Sequence, residues 1–271
     1  MPILLRSTGQ VQLGWDPDTA LVCEAPDLEP QQVLGFLRLL DGLNSLPEII
    51  WQSGTFGLAP EQATDLFELV DQTGLLVHPH HPAGRVQTIR VHGIGPLTDA
   101  VGAGLRGLGI RTTRSRTYRG DIESLVRSVD LVVLTDALIP DPRLVQDLCH
   151  ARIAHLVVRL RDGKGLVGPL VQPGRTSCLR CADLTRSDLD AEWPGLAAQL
   201  LGRSGYASPA GIAAVAALAL GELETIITCE PERRLATLNG TMELDLETRL
   251  VVHRAWAPHS RCGCCTDVAG A

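Results

Sequence analysis

The sequence is short of lysine and of aromatic residues. Its 271 residues include one lysine, Lys164, with four tryptophans, two tyrosines and three phenylalanines. So few aromatic side chains argue against a base-stacking surface for single-stranded nucleic acid. The N-terminal sequence MPILLRSTGQVQLGW has no basic segment followed by a long apolar run, and it therefore does not predict a signal peptide.

The remaining composition predicts a folded protein of the cytoplasm. Apolar residues make up 45% of the chain, enough to bury a core. The Ala-rich segment ASPAGIAAVAALALG, about fifteen residues long, is too short to span a bilayer, so it predicts a buried helix and no membrane partner. Eight cysteines without a secretion signal predict a reducing compartment, in which thiols bind metal more often than they form disulfides.

The charge is distributed unevenly. Residues 1–80 contain two basic side chains, Arg6 and Arg38, against eleven acidic ones, a formal charge of −9, whereas residues 81–271 are close to balanced. The change coincides with the His/Pro/Gly stretch HPHHPAGR, which is typical of an interdomain linker. We therefore predict two domains, residues 1–80 and 85–271.

The first domain is predicted to be a winged helix-turn-helix. Two short strands, QVQLG and TALVCEA, precede three amphipathic helices, and the second helix begins with the capping box Ser45/Glu48. DNA binding is the usual role of this α+β shape, but a domain of charge −9 without lysine would be repelled by phosphates. Two roles remain: binding a peptide that adds a strand to the sheet edge, and packing against the other domain.

The second domain is predicted to be α/β. Strands alternate with helices from VQTIRVHGIGPLTDA to IAHLVVRL, which predicts a parallel Rossmann-type sheet. Its glycine turn, GIGPLTDA, is an incomplete dinucleotide loop, since Gly93 and Gly95 are present but Thr98 replaces the third glycine and Pro96 removes an N–H donor. We therefore do not expect ATP to bind, although Arg90, Arg106 and Arg111 could replace a phosphate-contacting lysine.

Two groups of cysteines predict a structural zinc site. Cys178 and Cys181 form a C-x-x-C pair, and Cys262, Cys264 and Cys265 lie about eighty residues later. Four thiolates suit tetrahedral Zn²⁺ and leave no open position for water. One of Cys264 and Cys265 is then spare, and His259 is an alternative ligand. A redox pair is the competing interpretation, but a thioredoxin-like C-x-x-C opens a helix after a strand, whereas this one follows a Pro-Gly turn.

The cysteine motifs also carry a resemblance to a known family. The segments VGPLVQPGRTSCLRCADLTRSDLDAEWPGLAAQL, ASPAGIAAVAALALGELETII and PHSRCGCC resemble, in this order, segments of ThiF-like proteins of azole-forming peptide biosynthesis. The N-terminal segment resembles the PqqD-like recognition domain that precedes the ThiF-like part. The resemblance covers nearly the whole chain.

The resemblance implies a function and partners. Such proteins bind the leader of a ribosomally made precursor peptide and present its core to a YcaO-type enzyme, a separate chain here, which uses ATP to form azoline rings on Cys, Ser or Thr. ThiF-like folds commonly dimerise. In adenylating relatives an Asp after the fourth strand takes part in the chemistry, and Asp136 fills that position. Because the glycine loop departs from the pattern, a scaffold without catalytic activity is expected; the alternative is an active ATP-dependent adenylating enzyme acting on a peptide.

The resemblance also implies where the leader lies. In the family it runs antiparallel to the third strand and packs on the third helix of the recognition domain. The matching residues are Leu21, Val22, Cys23 and Glu24 on the strand and Thr64, Phe67, Glu68 and Asp71 on the helix. Their periodicity indicates that Val22 and Phe67 could equally belong to the core.

Overall fold

The computed structural model describes residues 1–23, 25, 27–76, 86–228 and 234–264. The chain divides into two compact units, Met1–His81 and Pro82–Ala271. The first has a three-stranded sheet with helices, and the second has a seven-stranded sheet with helices. The α/β class predicted from the sequence is confirmed.

The sheet of the first unit is antiparallel, with the order β1-β2-β3. The strands are β1 (Ile3–Leu5), β2 (Val11–Leu13) and β3 (Leu21–Cys23). The sequence analysis identified β2 and β3 and missed β1. In the described part of the chain β3 pairs with β2 alone, so β3 is an edge strand.

Three helices follow the strands of this unit: α1 (Pro30–Leu39), α2 (Leu46–Ser53) and α3 (Pro60–Gln72). The predicted capping box of α2 is present, since the Glu48 carboxylate accepts a 2.8 Å hydrogen bond from Ser45 N–H. The helices and β2 share one apolar core, in which Phe36, Ala63 and Leu66 are fully buried.

The sheet of the second unit is mixed. Its strands are β4 (Thr88–His92), β5 (Arg111–Ser115), β6 (Leu131–Thr135), β7 (Ala154–Arg161), β8 (Lys164–Val171), β9 (Gly240–Asp245) and β10 (Val251–Ala255), in the order β10-β9-β8-β7-β6-β4-β5. Strands β5, β4, β6 and β7 run parallel, and β8 to β10 are antiparallel. The β7–β8 hairpin turns at Asp162 and Gly163, which have φ of 49° and 76°. Two positive φ values are what a tight hairpin turn of this hand requires.

Helices cover both faces of this sheet. They are α4 (Pro96–Gly107), α5 (Ile122–Val126), α6 (Pro142–His150), α7 (Leu179–Leu189), α8 (Trp193–Leu200) and α9 (Pro209–Thr228). Side chains alternate between the faces along a strand. Accordingly, Val133 packs in a core with α4 and α9, and its neighbour Val132 packs in a second core with α6.

Helix α9 is longer than the Ala-rich segment predicted. It has 20 residues because ELETIIT continues the helix, and by length and composition alone it could cross a membrane. About a third of its most apolar window is buried within the unit. Its Glu222 carboxylate accepts hydrogen bonds from Thr237 N–H at 2.8 Å and the Thr237 hydroxyl at 2.7 Å. A helix anchored by a buried carboxylate and packed on α4 fits a core helix.

Candidate functional site

The glycine turn lies where β4 ends, beside the end of β6. Gly93 and Gly95 connect β4 to α4, and Asp136 follows β6 directly. Strands β4 and β6 are parallel neighbours, so their carboxyl ends lie at the same edge of the sheet. In open α/β sheets this edge is where ligands bind.

Asp136 occupies the N-terminus of α4. Its Oδ1 accepts a hydrogen bond from Leu97 N–H at 3.2 Å, and its Oδ2 accepts from Thr98 N–H at 2.9 Å and from the Thr98 hydroxyl at 2.6 Å. The residue is 2% exposed and has φ of 64°. Free N–H groups at a helix N-terminus are what binds phosphate in nucleotide loops, and here a carboxylate already satisfies two of them.

Close approach to the end of β6 explains why both loop positions are glycine. A Cβ on Gly95 would lie 2.5 Å from the Asp136 carboxylate, and a Cβ on Gly93 would lie 2.5 Å from the Thr135 carbonyl oxygen. Their φ values, 152° and 156°, also favour glycine. Pro96 begins α4, where a helix has no partner for the missing N–H. Contacts within the protein therefore explain why Gly93, Gly95 and Pro96 occupy these positions.

The three arginines proposed as phosphate contacts lie elsewhere. Arg90 points to β5, where its Nε donates to the Thr113 hydroxyl at 3.4 Å. Arg106 lies in the last turn of α4, and Arg111 begins β5, so both are at the opposite ends of their elements from the loop.

A different set of arginines lies beside the loop. A cavity of about 570 Å³ is lined by Gly93 and Ile94 and by three arginines that the sequence analysis did not single out, Arg116, Arg143 and Arg203. Arg116 follows β5, Arg143 lies in α6 and Arg203 follows α8. Because they are far apart in the sequence and form no motif, only the fold shows that they line one cavity. They supply positive charge at the sheet edge.

Four cysteines meet at a second place in the same unit. Cys178 precedes α7 and Cys181 lies in its first turn, while Cys262 and Cys264 follow β10. The Sγ–Sγ distances are 3.8 Å for Cys178–Cys181, 3.5 Å for Cys178–Cys262 and 3.2 Å for Cys181–Cys264. All four Sγ atoms lie within 4.8 Å of one another. Cys265 is outside the described residues.

This donor set fits a zinc ion. Tetrahedral Zn–S bonds of about 2.3 Å place the sulfurs about 3.8 Å apart, close to the distances here. Burial raises the pKa of the Cys178 and Cys262 thiols, whereas at Cys181 hydrogen bonds outweigh burial and lower the pKa of the thiol. A zinc ion would bind the four as thiolates and displace their protons.

Asn239 holds the two cysteine segments in place. Its side-chain oxygen accepts a hydrogen bond from Ser177 N–H at 2.7 Å, and its backbone carbonyl accepts from Trp256 N–H at 2.8 Å. His259, the alternative ligand, has both ring nitrogens engaged: Nδ1 accepts from Arg261 N–H at 3.1 Å, and Nε2 lies 2.8 Å from the Asp188 carboxylate. The structure thus brings four cysteines together without this histidine.

The residues assigned to leader binding lie on β3 and α3 of the first unit. On β3, Leu21 is exposed and Val22 and Cys23 are half-buried; Glu24 lies outside the described residues. Val22 pairs with Gln12, whereas Leu21 and Cys23 pair with the buried Leu13 and Val11. By strand alternation Val22 therefore points away from the core, contrary to one of the two interpretations offered for it.

The α3 residues also differ in their exposure to solvent. Phe67 is half-buried and packs against the core that Cys23 also contacts. Thr64 is half-buried, and its hydroxyl donates to the Pro60 carbonyl at 2.9 Å. Glu68 and Asp71 are exposed. Of this set, the exposed residues are the ones that a ligand can reach without displacing the core.

Solved structures with the same fold include two heterocyclases and E. coli MccB. A heterocyclase in complex with substrate and cofactor has a TM-score of 0.68 at 16% sequence identity, over 97% of this chain and 38% of that chain. The heterocyclase TruD has a TM-score of 0.69 at 16% identity, over 97% of this chain and 41% of that chain. E. coli MccB with ATP has a TM-score of 0.62 at 10% identity, over 97% of each chain.

The chain shares the fold of these enzymes. At such identities the likeness establishes the fold and no more. The chain spans about two fifths of the heterocyclases' length and nearly all of MccB. No protein-family model and no curated protein matches the sequence.

Proposed function

We propose that the chain binds the leader of a ribosomally synthesised precursor peptide and presents the peptide to a separate YcaO-type cyclodehydratase. The first unit acts as a PqqD-like winged helix that receives the leader along β3. The second unit is a ThiF-like scaffold that does not adenylate. The partner enzyme forms azolines on Cys, Ser or Thr of the peptide.

The observation that carries this proposal is an open strand edge combined with an occupied glycine loop. Among the described residues β3 has a strand on one side only, so a peptide can pair with its open edge as a fourth strand. At the loop, Asp136 takes the α4 N–H groups that would otherwise bind phosphate. The fold shared with two heterocyclases agrees with a role beside such chemistry.

In this proposal the cysteines hold a structural zinc ion. Cys178, Cys181, Cys262 and Cys264 would be its ligands, and Cys265 would be the spare thiol. A bound Zn²⁺ with four thiolates stabilises the fold and leaves no position for substrate. The metal would connect α7 to the segment after β10.

Adenylation of a peptide is the second candidate function. It is favoured by Arg116, Arg143 and Arg203, which surround the cavity at the sheet edge and could contact phosphates. The fold of MccB, which also aligns over nearly its full length, is consistent with it.

One reconstitution separates the two functions. The purified chain is combined with a candidate precursor peptide and a YcaO-type enzyme, and ring formation is followed by mass spectrometry as the loss of one water per ring. We expect rings only when the chain, the leader and the partner are all present, and no ATP–pyrophosphate exchange by the chain alone. Exchange that depends on the peptide, without the partner, would establish adenylation instead.

A further inference from the structure

The second unit contains another cavity, on the side of the cysteine cluster. It has a volume of about 660 Å³ and is lined by apolar side chains, among them Val145, Leu179 and Trp256, and by Arg159 and Arg186. We call it the Arg159 cavity. The glycines of the β4–α4 loop do not line it. Its size is typical of a small-ligand site. The wall is mixed, because Arg152, Arg180, Asp183 and three cysteines of the cluster, Cys178, Cys262 and Cys264, also line it.

Arg159 is a buried cation in this wall. It lies within β7 and is 8% exposed. Its Nη1 donates to the Leu138 carbonyl at 2.5 Å, whereas its Nε has no hydrogen-bond partner among the described residues. Burial, followed by repulsion from Arg186 and Arg161, lowers its pKa to about 10, so it is still charged at neutral pH.

The carboxylates near Arg159 are already paired with other arginines. Asp183 accepts from Arg186 at 3.1 Å and from the Trp193 indole N–H at 3.2 Å. Glu243 lies 2.8 Å from Arg254 and 3.6 Å from Arg161. Arg159 forms no ion pair with any carboxylate in the described part of the chain. Buried charges in proteins are paired almost without exception, so the missing anion is expected from outside the chain.

Arg186 makes the same wall suitable for an organic ligand. Its guanidinium lies over the Trp193 and Trp256 rings, 5.0 Å and 5.1 Å from their centroids. This stacking fixes a flat, partly apolar surface next to the buried cation. A ligand that contacts both this surface and Arg159 would have an apolar body and one negative group.

We propose that the Arg159 cavity binds a carboxylate carried on an apolar body, with the carboxylate paired to the Arg159 guanidinium. An acidic side chain of a peptide and a small free carboxylic acid share this chemistry. The carboxylate would form a charge-assisted contact with the Arg159 guanidinium, since Arg159 lines the cavity. This site is independent of leader binding by the first unit.

Matched probes test the proposal on the full-length, zinc-loaded chain. N-acetyl-Leu-Glu-Leu-amide is compared with its neutral counterpart N-acetyl-Leu-Gln-Leu-amide by ligand-observed NMR at millimolar concentration. A second arm uses 4-methylpentanoate, and a third uses inorganic phosphate. The protein variants are Arg159→Met and, as a control, Arg127→Met, because Arg127 is 77% exposed and does not line the cavity.

The expected result is selective binding of carboxylate. The Glu tripeptide, 4-methylpentanoate or both bind the wild type and Arg127→Met, and which of them binds identifies the source. Loss of the charge, by Gln in the tripeptide or by Arg159→Met in the protein, weakens binding about 10- to 100-fold. Equal binding of the Glu and Gln peptides, binding of phosphate alone, or no binding of any carboxylate probe would overturn the proposal.

A second measurement separates binding from a structural role. Without ligand, Arg159→Met should be at least as stable as the wild type and should keep its zinc, because the substitution removes an uncompensated buried charge. If Arg159→Met loses zinc or unfolds at lower denaturant, the arginine serves the fold or the cysteine cluster, and the proposal is wrong.

Discussion

The hydroxyl of Thr98 donates a 2.6 Å hydrogen bond to Asp136 Oδ2, which also accepts from Thr98 N–H at 2.9 Å. This contact connects the first turn of α4 to the end of β6. The Asp136 carboxylate therefore caps the N-terminus of α4.

Asp136→Asn should therefore reduce stability. Asparagine tolerates the positive φ at this position, but its amide group places N–H donors against the N–H donors of Leu97 or Thr98. We expect a loss of about 1–3 kcal/mol in the free energy of unfolding, measured by denaturant titration. Asp99→Asn is the control, because Asp99 is exposed and its ion pair with Arg114 lies at the surface. If Asp136→Asn abolishes an ATP-dependent activity at unchanged stability, Asp136 is catalytic.

The metal site predicts a difference between adjacent cysteines. Cys264→Ser should lose zinc, because its Sγ lies 3.2 Å from Cys181 Sγ, and Cys265→Ser should retain it. Wild-type protein should contain about one zinc per chain by elemental analysis.

Loss of a zinc-binding cysteine should lower the free energy of unfolding, whereas loss of another cysteine should not. Cys178→Ser should destabilise the second unit by about 4 kcal/mol or more, since losing a structural metal is among the costliest substitutions. Cys149→Ser is the matched control, because Cys149 is also partly buried near the cluster but is not one of its four sulfurs. A stable, metal-free wild type would contradict the zinc assignment.

Leader binding predicts sensitivity at β3. Val22→Asp places a charge on the open edge strand, on the face that points away from the core. We expect the affinity for the precursor leader, measured by fluorescence anisotropy, to fall at least about tenfold. Leu43→Asp, in the loop between α1 and α2 and 87% exposed, should bind normally. Equal affinities for both variants would remove β3 from the binding surface.

Acid should destabilise the second unit through His155. This histidine is fully buried in β7; its Nδ1 lies 3.0 Å from the Ile153 carbonyl, and its Nε2 has no partner among the described residues. Burial lowers its pKa to about 4, from 6.5 in the unfolded chain. Between these values the unfolded chain binds a proton that the folded chain does not, so stability is complete above pH 6.5 and falls as the pH drops towards 4.

The expected contribution of His155 is roughly 3 kcal/mol. Unfolding titrations at several pH values should show that His155→Leu loses this part of the pH dependence, while His150→Gln, at an exposed position, keeps it. Because acid also releases zinc from thiolates, the difference between variant and wild type is the informative quantity. Identical pH profiles for wild type and His155→Leu would contradict the assignment.

Much of the second unit could be predicted from its sequence because its signals are local. The alternation of apolar runs and glycine turns located β4, β6 and β7. The two groups of cysteines predicted that Cys178 and Cys181 would meet the distant cysteines, and four of the sulfurs do lie together.

What the sequence could not show is where long-range polar contacts form. IAHLVVRL predicts a buried strand. Its apolar pattern does not indicate that two polar residues inside it, His155 and Arg159, are buried as well. A histidine and an arginine within a strand that is covered on both faces could have indicated buried polar side chains. The sequence also placed Asp136 after a strand without indicating that its carboxylate turns to Thr98.

The distance along the chain between the two cysteine pairs has a consequence for biosynthesis. Cys181 and Cys264 are 83 residues apart. At about 5–20 residues per second, the ribosome adds the second pair roughly 4–17 s after the first. Every strand of the seven-stranded sheet has been translated by then. Zinc would consequently bind all four thiolates only after every strand of the sheet has been synthesised, and an interrupted chain would hold only the first pair of ligands.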